Sequence, residues 1–187
     1  PGEAKNTEGS ALFQLYQVLK GLRAQRHAIE FETVETYMTF YELCGIKEIL
    51  PRSRNEAHKL IEECMLLANV AAAEYALRND IPMLYRVHEP PEFSRIQKVR
   101  EYVKLLGLPF PEQPTQKDYQ AVIEATKERI DAPSIHAVLL RSMMQAYYGA
   151  NNAGHFGLAY EAYTHFTSPI RRYPDLLLHR AIKAHLQ

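Results

Sequence analysis

A chain of 187 residues, 47% of them hydrophobic, can bury one domain-sized core, and it carries no formal net charge. Zero net charge excludes a global field that draws in polyanions, so a nucleic-acid role would need a local patch or groove. Two cysteines, Cys44 and Cys64, exclude a disulfide framework and show no metal-type pairing; Cys64 sits in a helical apolar pattern and reads as a buried thiol. The longest apolar run, Met65 to Ala73, is interrupted by Asn69 and is too short to span a bilayer. With no signal peptide evident, the expected location is a reducing, cytoplasmic compartment with no membrane partner.

In chain order, residues 1–10 are polar and aperiodic and are expected to form a flexible segment, with one folded unit over 11–187. Leu12, Leu15, Tyr16, Leu19 and Leu22 recur at three- and four-residue steps, giving an amphipathic helix over 10–25. Residues 28–40 alternate and are β-branched, which predicts one or two strands. Gly45 marks a turn, and 46–50 form a further short strand before Pro51. Residues 54–78 give the strongest helix, with Ile61, Met65, Ala68, Ala72 and Tyr75 on its inner face and Ala71 to Ala73 leaving room for a close neighbour. A short strand over 83–87 and a basic helix over 92–106 follow, the latter stopped by Gly107 and Pro109. Thr115 caps a helix over 115–130, and Pro133 opens another to residue 145. Residues 147–163, rich in Tyr, Gly and Asn, are expected as strands or irregular loop, with Gly149, Gly154 and Gly157 at turns or close approaches. The fold class is therefore α+β, mostly helical with a few short strands.

The C-terminal element carries the most chemistry. Ser168 suits an N-cap and Pro169 the first helical position, and Arg171 and Arg172 lie beside that helix start. Free N–H groups, the positive end of the helix dipole and two guanidinium forks favour a phosphate. The competing interpretation is a capped helix whose arginines pair with carboxylates such as Asp175. Pro174 complicates the start: either a tight turn precedes a helix that begins at Pro174, or the helix is kinked there. Between residues 150 and 187 four cations face two carboxylates, a local positive excess that a solvated face would also explain.

Glu62 and Glu63 lie mid-helix, about 100° apart, so only one can point inward; such a carboxylate could do acid–base work or hydrogen-bond a ribose hydroxyl, although a solvated pair is the commoner case. His155, His165 and His179 lack ligand spacing and read as core or surface histidines. Several aromatic rings, Phe31 among them, could stack on bases or simply pack the core. No P-loop, dinucleotide-binding or Ser–His–Asp pattern is present.

Three blocks, in order, resemble one family. Residues 154–183, containing Thr-Ser-Pro-Ile-Arg-Arg-Tyr-Pro-Asp, are similar to the hallmark of the ribonuclease II / ribonuclease R family; residues 60–74 and 81–91 resemble its neighbouring blocks. The resemblance implies the C-terminal part of an RNB catalytic domain, from a processive, magnesium-dependent 3′-to-5′ exoribonuclease that releases nucleoside monophosphates from single-stranded RNA. It implies that Arg171 contacts the terminal phosphate, that Glu62 rather than Glu63 contacts a ribose, and that Phe31 stacks on the last base. Arg172 and Tyr173 belong to the same RNA-binding motif, and His155 and His165 have supporting roles. The family's magnesium-holding aspartates have no counterpart here, since Asp80, Asp118, Asp131 and Asp175 are far apart. Pro1 is not an initiator methionine and the last helical pattern reaches Gln187 without a stop signal, so a piece of a longer polypeptide is expected. Alone it should be inactive, and prone to self-association through uncovered apolar surface. The alternative is a non-catalytic helical module that binds RNA or protein.

Overall fold

The computed structural model describes residues 7–31, 35–41, 45–52 and 55–187. Its elements are α1 (Thr7–Gln25), β1 (Glu35–Phe40), β2 (Ile46–Arg52), α2 (Glu56–Arg78), β3 (Tyr85–Val87), α3 (Phe93–Leu105), α4 (Gln116–Thr126), α5 (Ala132–Ser142), β4 (Tyr147–Gly149) and α6 (Tyr173–Leu186). The fold is α+β and mostly helical, as the sequence pattern indicates. β1 and β2 form an antiparallel hairpin with an irregularity between Thr39 and Phe40. β3 and β4 form a second antiparallel pair, and Tyr85 also bridges to Thr164.

Several boundaries differ from expectation for identifiable reasons. α1 begins at Thr7, inside the stretch expected to be flexible; residues 1–6 lie outside the described residues. Residues 28–31 form no strand, because the N–H groups of Ile29 and Glu30 go to the Gly157 carbonyl and the Gln120 side chain. The strand expected over 83–87 pairs only from Tyr85. α4 stops at Thr126, whose hydroxyl turns back onto the Val122 carbonyl at 2.8 Å; Arg129 and Asp131 then close a turn into α5. The cap at Thr115 holds: Asp118 accepts both the Thr115 N–H and its hydroxyl at 2.7 Å. α5 carries its proline in the first turn, as expected, but ends three residues early.

Two cores position the functional segments. In the first, Val99 and Val103 of α3, Tyr119, Val122 and Ile123 of α4, and Ile135 and Leu139 of α5 enclose Ile29, Phe110 and Phe156. In the second, Ala72 and Ala76 of α2 meet Leu178 of α6 and Ile81, which follows α2. The small-residue stretch of α2 thus receives the Leu178 side chain of α6. The inner face of α2 is turned from the expected one. Glu63, Leu66, Asn69, Ala72, Ala73 and Ala76 are buried, whereas Ile61 and Tyr75 are exposed. Two polar residues lie on that inner face because each finds partners there, which an apolar count does not register.

Candidate RNA-binding site

Two groups of side chains bear on function, and α2 carries parts of both. The first gathers around Arg23, in the last turn of α1. Its Nη1 lies 2.6 Å from Glu63 and 3.4 Å from Glu62, and its Nε lies 3.7 Å from Glu30. The Glu63 side chain is only 7% exposed and Arg23 14%, so this pair is a buried structural tie between α1 and α2. Glu62 keeps 42% of its side chain exposed. Of the adjacent carboxylates, Glu63 points inward and Glu62 remains reachable. Phe31 follows Glu30 directly; its ring packs half-buried on the first core and meets His136 edge-on at 6.4 Å. Arg23 thereby links Glu30, the neighbour of Phe31 in the chain, to the helix that bears Glu62. Its role was invisible in the sequence, where it is one basic residue in a helical last turn.

The second group is the segment from Tyr163 to Asp175. The helix there does not start at Ser168. α6 begins at Tyr173 with Arg172 at its N-cap position and Pro174 in the first turn. A tight turn precedes it, with the Arg171 and Arg172 N–H groups both donating to the Ser168 carbonyl. Ser168 also donates its N–H to Asp175 Oδ1 at 2.8 Å. A buried carboxylate, rather than the serine hydroxyl, organises this start.

The two arginines differ sharply. Arg172 donates from Nε and Nη2 to Asp175 Oδ1, at 3.1 and 2.8 Å, and reaches the Thr167 hydroxyl. Asp175 is fully buried and its Oδ2 has no partner. The carboxylate-pairing interpretation therefore describes Arg172. Arg171 is exposed, and no hydrogen bond or ion pair among the described residues engages its guanidinium. Tyr173 is 64% exposed at the first position of α6. Arg171 and Tyr173 thus face solvent from a turn that Arg172 and Asp175 lock.

The turn is fixed further upstream. Asn69 accepts the N–H groups of Phe166 and Thr167, at 2.9 and 3.3 Å, and donates to the Tyr163 hydroxyl. Thr164 donates to the Leu84 carbonyl, and His179 bonds the Phe166 carbonyl while stacking on its ring at 4.0 Å. His88 and His155 accept the N–H groups of Gly157 and Leu158 at Nδ1, which demands an unprotonated nitrogen. A β-carbon on Gly157 would come 2.9 Å from His88 Nδ1, so this turn requires glycine. Burial and the neighbouring His88 push His155 down to about 3; burial, then Arg172, hold His165 down to about 4. Both are neutral near pH 7 and structural in their contacts, with His165 bonded to the Tyr148 hydroxyl at 2.6 Å.

A magnesium ion needs several carboxylate or similar oxygen ligands. Among the described residues no group of three or more His, Cys, Asp or Glu side chains could hold a metal ion. The described residues thus do not fit a resident metal. Cys64 is half-buried rather than fully enclosed, and Cys44 lies outside the described residues. No helix among the described residues is long and apolar enough to cross a membrane.

Comparison with known proteins assigns this fold to one domain family. The RNB domain profile matches residues 3–187, and the chain belongs to that family. It is 54% identical to ribonuclease R of Vibrio cholerae and 47% identical to that of Escherichia coli, each over 92% of this chain and 21% of the relative. It thus spans about a fifth of the length of these curated relatives. Ribonuclease R of Mycoplasma genitalium superposes with a TM-score of 0.88 at 31% identity, covering 95% of this chain and 28% of that one; that protein has been solved with ribose-methylated single-stranded RNA and with double-stranded RNA. A yeast pseudonuclease matches at a TM-score of 0.62 and 27% identity, over 71% of this chain and 17% of its own.

Proposed function

We propose that the full-length protein carrying this chain is a processive, magnesium-dependent 3′-to-5′ exoribonuclease, and that this chain supplies its grip on the RNA 3′ end. The observation that carries the proposal is Arg171, an exposed guanidinium without a protein partner, held on a turn that Arg172 and Asp175 fix. A permanently charged fork in such a place can grip phosphate oxygens without reorganising during the reaction. Glu62, exposed beside the buried Arg23–Glu63 pair, accepts from a ribose hydroxyl. Phe31 stacks on the terminal base from its backing of core side chains, and Arg172 and Tyr173 complete the RNA-binding surface. The magnesium ligands lie in the remainder of the full-length protein, whose expected compartment is the cytoplasm. The chain by itself is then inactive, and its exposed α1 side chains favour self-association.

Arg171→Ala in the full-length protein tests this. Turnover on single-stranded RNA is expected to fall about 10²- to 10³-fold with the melting temperature unchanged. Near-normal turnover would remove the phosphate-clamp role. A non-catalytic module is the second possibility, favoured by the likeness to a pseudonuclease. Mononucleotide release by the full-length protein, absent for the isolated chain with RNA and magnesium, decides between them.

A further inference from the structure

Asn69 is the polar residue at the centre of the inner face of α2, 3% exposed. It follows Glu62 by seven residues. Two helical turns therefore separate them, about 10.5 Å along the axis and within about 20° of the same face. Its amide uses three hydrogen bonds, and all three hold one short segment. Nδ2 donates to the Tyr163 hydroxyl at 2.9 Å, and Oδ1 accepts from Phe166 and Thr167. The segment continues directly into the turn that presents Arg171. Asp175 and His179 tie the same segment to α6. Asn69 ties it to α2, the helix that carries Glu62.

We propose that Asn69 is a positioning residue for Arg171, setting the spacing between the sugar contact on α2 and the phosphate contact on the 163–172 segment. The inference rests on the roles given above to Glu62 and Arg171. A rigid helix fixes one end of that spacing, and one amide oxygen that accepts two consecutive backbone N–H groups fixes the other. Losing the clamp lets the arginine drift relative to the sugar site, and a misplacement of about 1 Å can cost about a hundredfold in rate.

The test is a double-mutant cycle in the full-length protein, read on single-stranded RNA. Asn69→Ala should lower kcat about a hundredfold while KM for RNA changes little. Asn69→Asp keeps an acceptor for both amides, although it buries a carboxylate, so at a temperature where it is folded it should turn over faster than Asn69→Ala. Combining Asn69→Ala with Arg171→Ala should be no slower than Arg171→Ala alone, because the clamp acts through that arginine. Rate losses that multiply would overturn the proposal, as would an Asn69→Ala variant with parental kcat. If Asn69→Ala shows no cooperative melting, Asn69→Ser takes its place in the same cycle, judged by the same two outcomes. Near-parental turnover of Arg171→Ala alone sinks the phosphate clamp itself, and the positioning role with it. A normal Arg171→Ala deficit with multiplicative losses sinks only the role of Asn69.

Discussion

The N-terminal α1 and β1–β2 hairpin and the C-terminal stretch from Tyr163 through α6 handle polarity in opposite ways. On α1, Leu12, Phe13, Leu15, Val18 and Leu22 are exposed, and on the hairpin so are Tyr37, Met38, Phe40 and Ile49. In the C-terminal stretch, Thr164 and Asp175 are buried, together with Asn69 beneath them. Several hydrogen bonds hold these three side chains, with Asp175 Oδ2 alone among their polar atoms unmatched, and such a network fixes one geometry. The C-terminal stretch is thus built to hold a turn still. The N-terminal region depends on a few ties, Arg23 foremost, and leaves apolar surface uncovered. Precision of placement tracks buried polarity here, not apolar content.

The largest expected effect strikes the precise half. Arg172→Ala leaves Asp175 as an uncompensated buried charge, and should cost about 3–5 kcal/mol in chemical denaturation. Arg171→Ala, one residue away, should cost almost nothing in the same assay. Equal losses at the two positions would dissolve the contrast between them. Next, Glu63→Gln should cost about 1–3 kcal/mol by stripping the charge partner from Arg23, whereas Glu62→Gln should be nearly silent in stability and weaken RNA binding.

Acid should find the C-terminal half next. His155 and His165 titrate in the folded state at about 3 and about 4, below the ordinary value of 6.5. The unfolded chain therefore binds protons first, and stability falls as pH drops from about 6.5 toward those values. Their neighbours His88, Arg86 and Arg172 oppose the charge further. Melting followed from pH 7 to pH 4 should show this slope, and His155→Gln should flatten it. The smallest effect belongs to the exposed face of α1: Val18→Ser should change stability by no more than about 0.5 kcal/mol while reducing self-association in sedimentation velocity.

Helices were legible in the sequence because their apolar spacing and caps are local signals. Thr115, Gly107 and Pro133 punctuate the chain where expected. The motif from Ser168 to Asp175 stood out in the sequence, but which of its two arginines pairs with a carboxylate was not local information. It depends on Asp175 being buried under the turn. The inner face of α2 was not legible because Glu63 and Asn69 count as polar, although Arg23 and the 163–167 segment satisfy them. Asn69 had left one trace, as the lone interruption of the Met65 to Ala73 run. Arg23 left none, since its three carboxylate neighbours are brought together only by tertiary packing.

Length itself is constrained along α2. One residue inserted between Glu62 and Asn69 would rotate everything after it by about 100° and advance it by about 1.5 Å. Asn69 would leave the 166–167 backbone, and Ala72 and Ala76 would turn away from α6 in the same stroke. The loop between α3 and α4, exposed over most of residues 111–115, carries no such phase relation and should accept an extra residue. Among homologous chains, insertions and deletions should therefore fall in that loop and spare the two turns from Glu62 to Asn69.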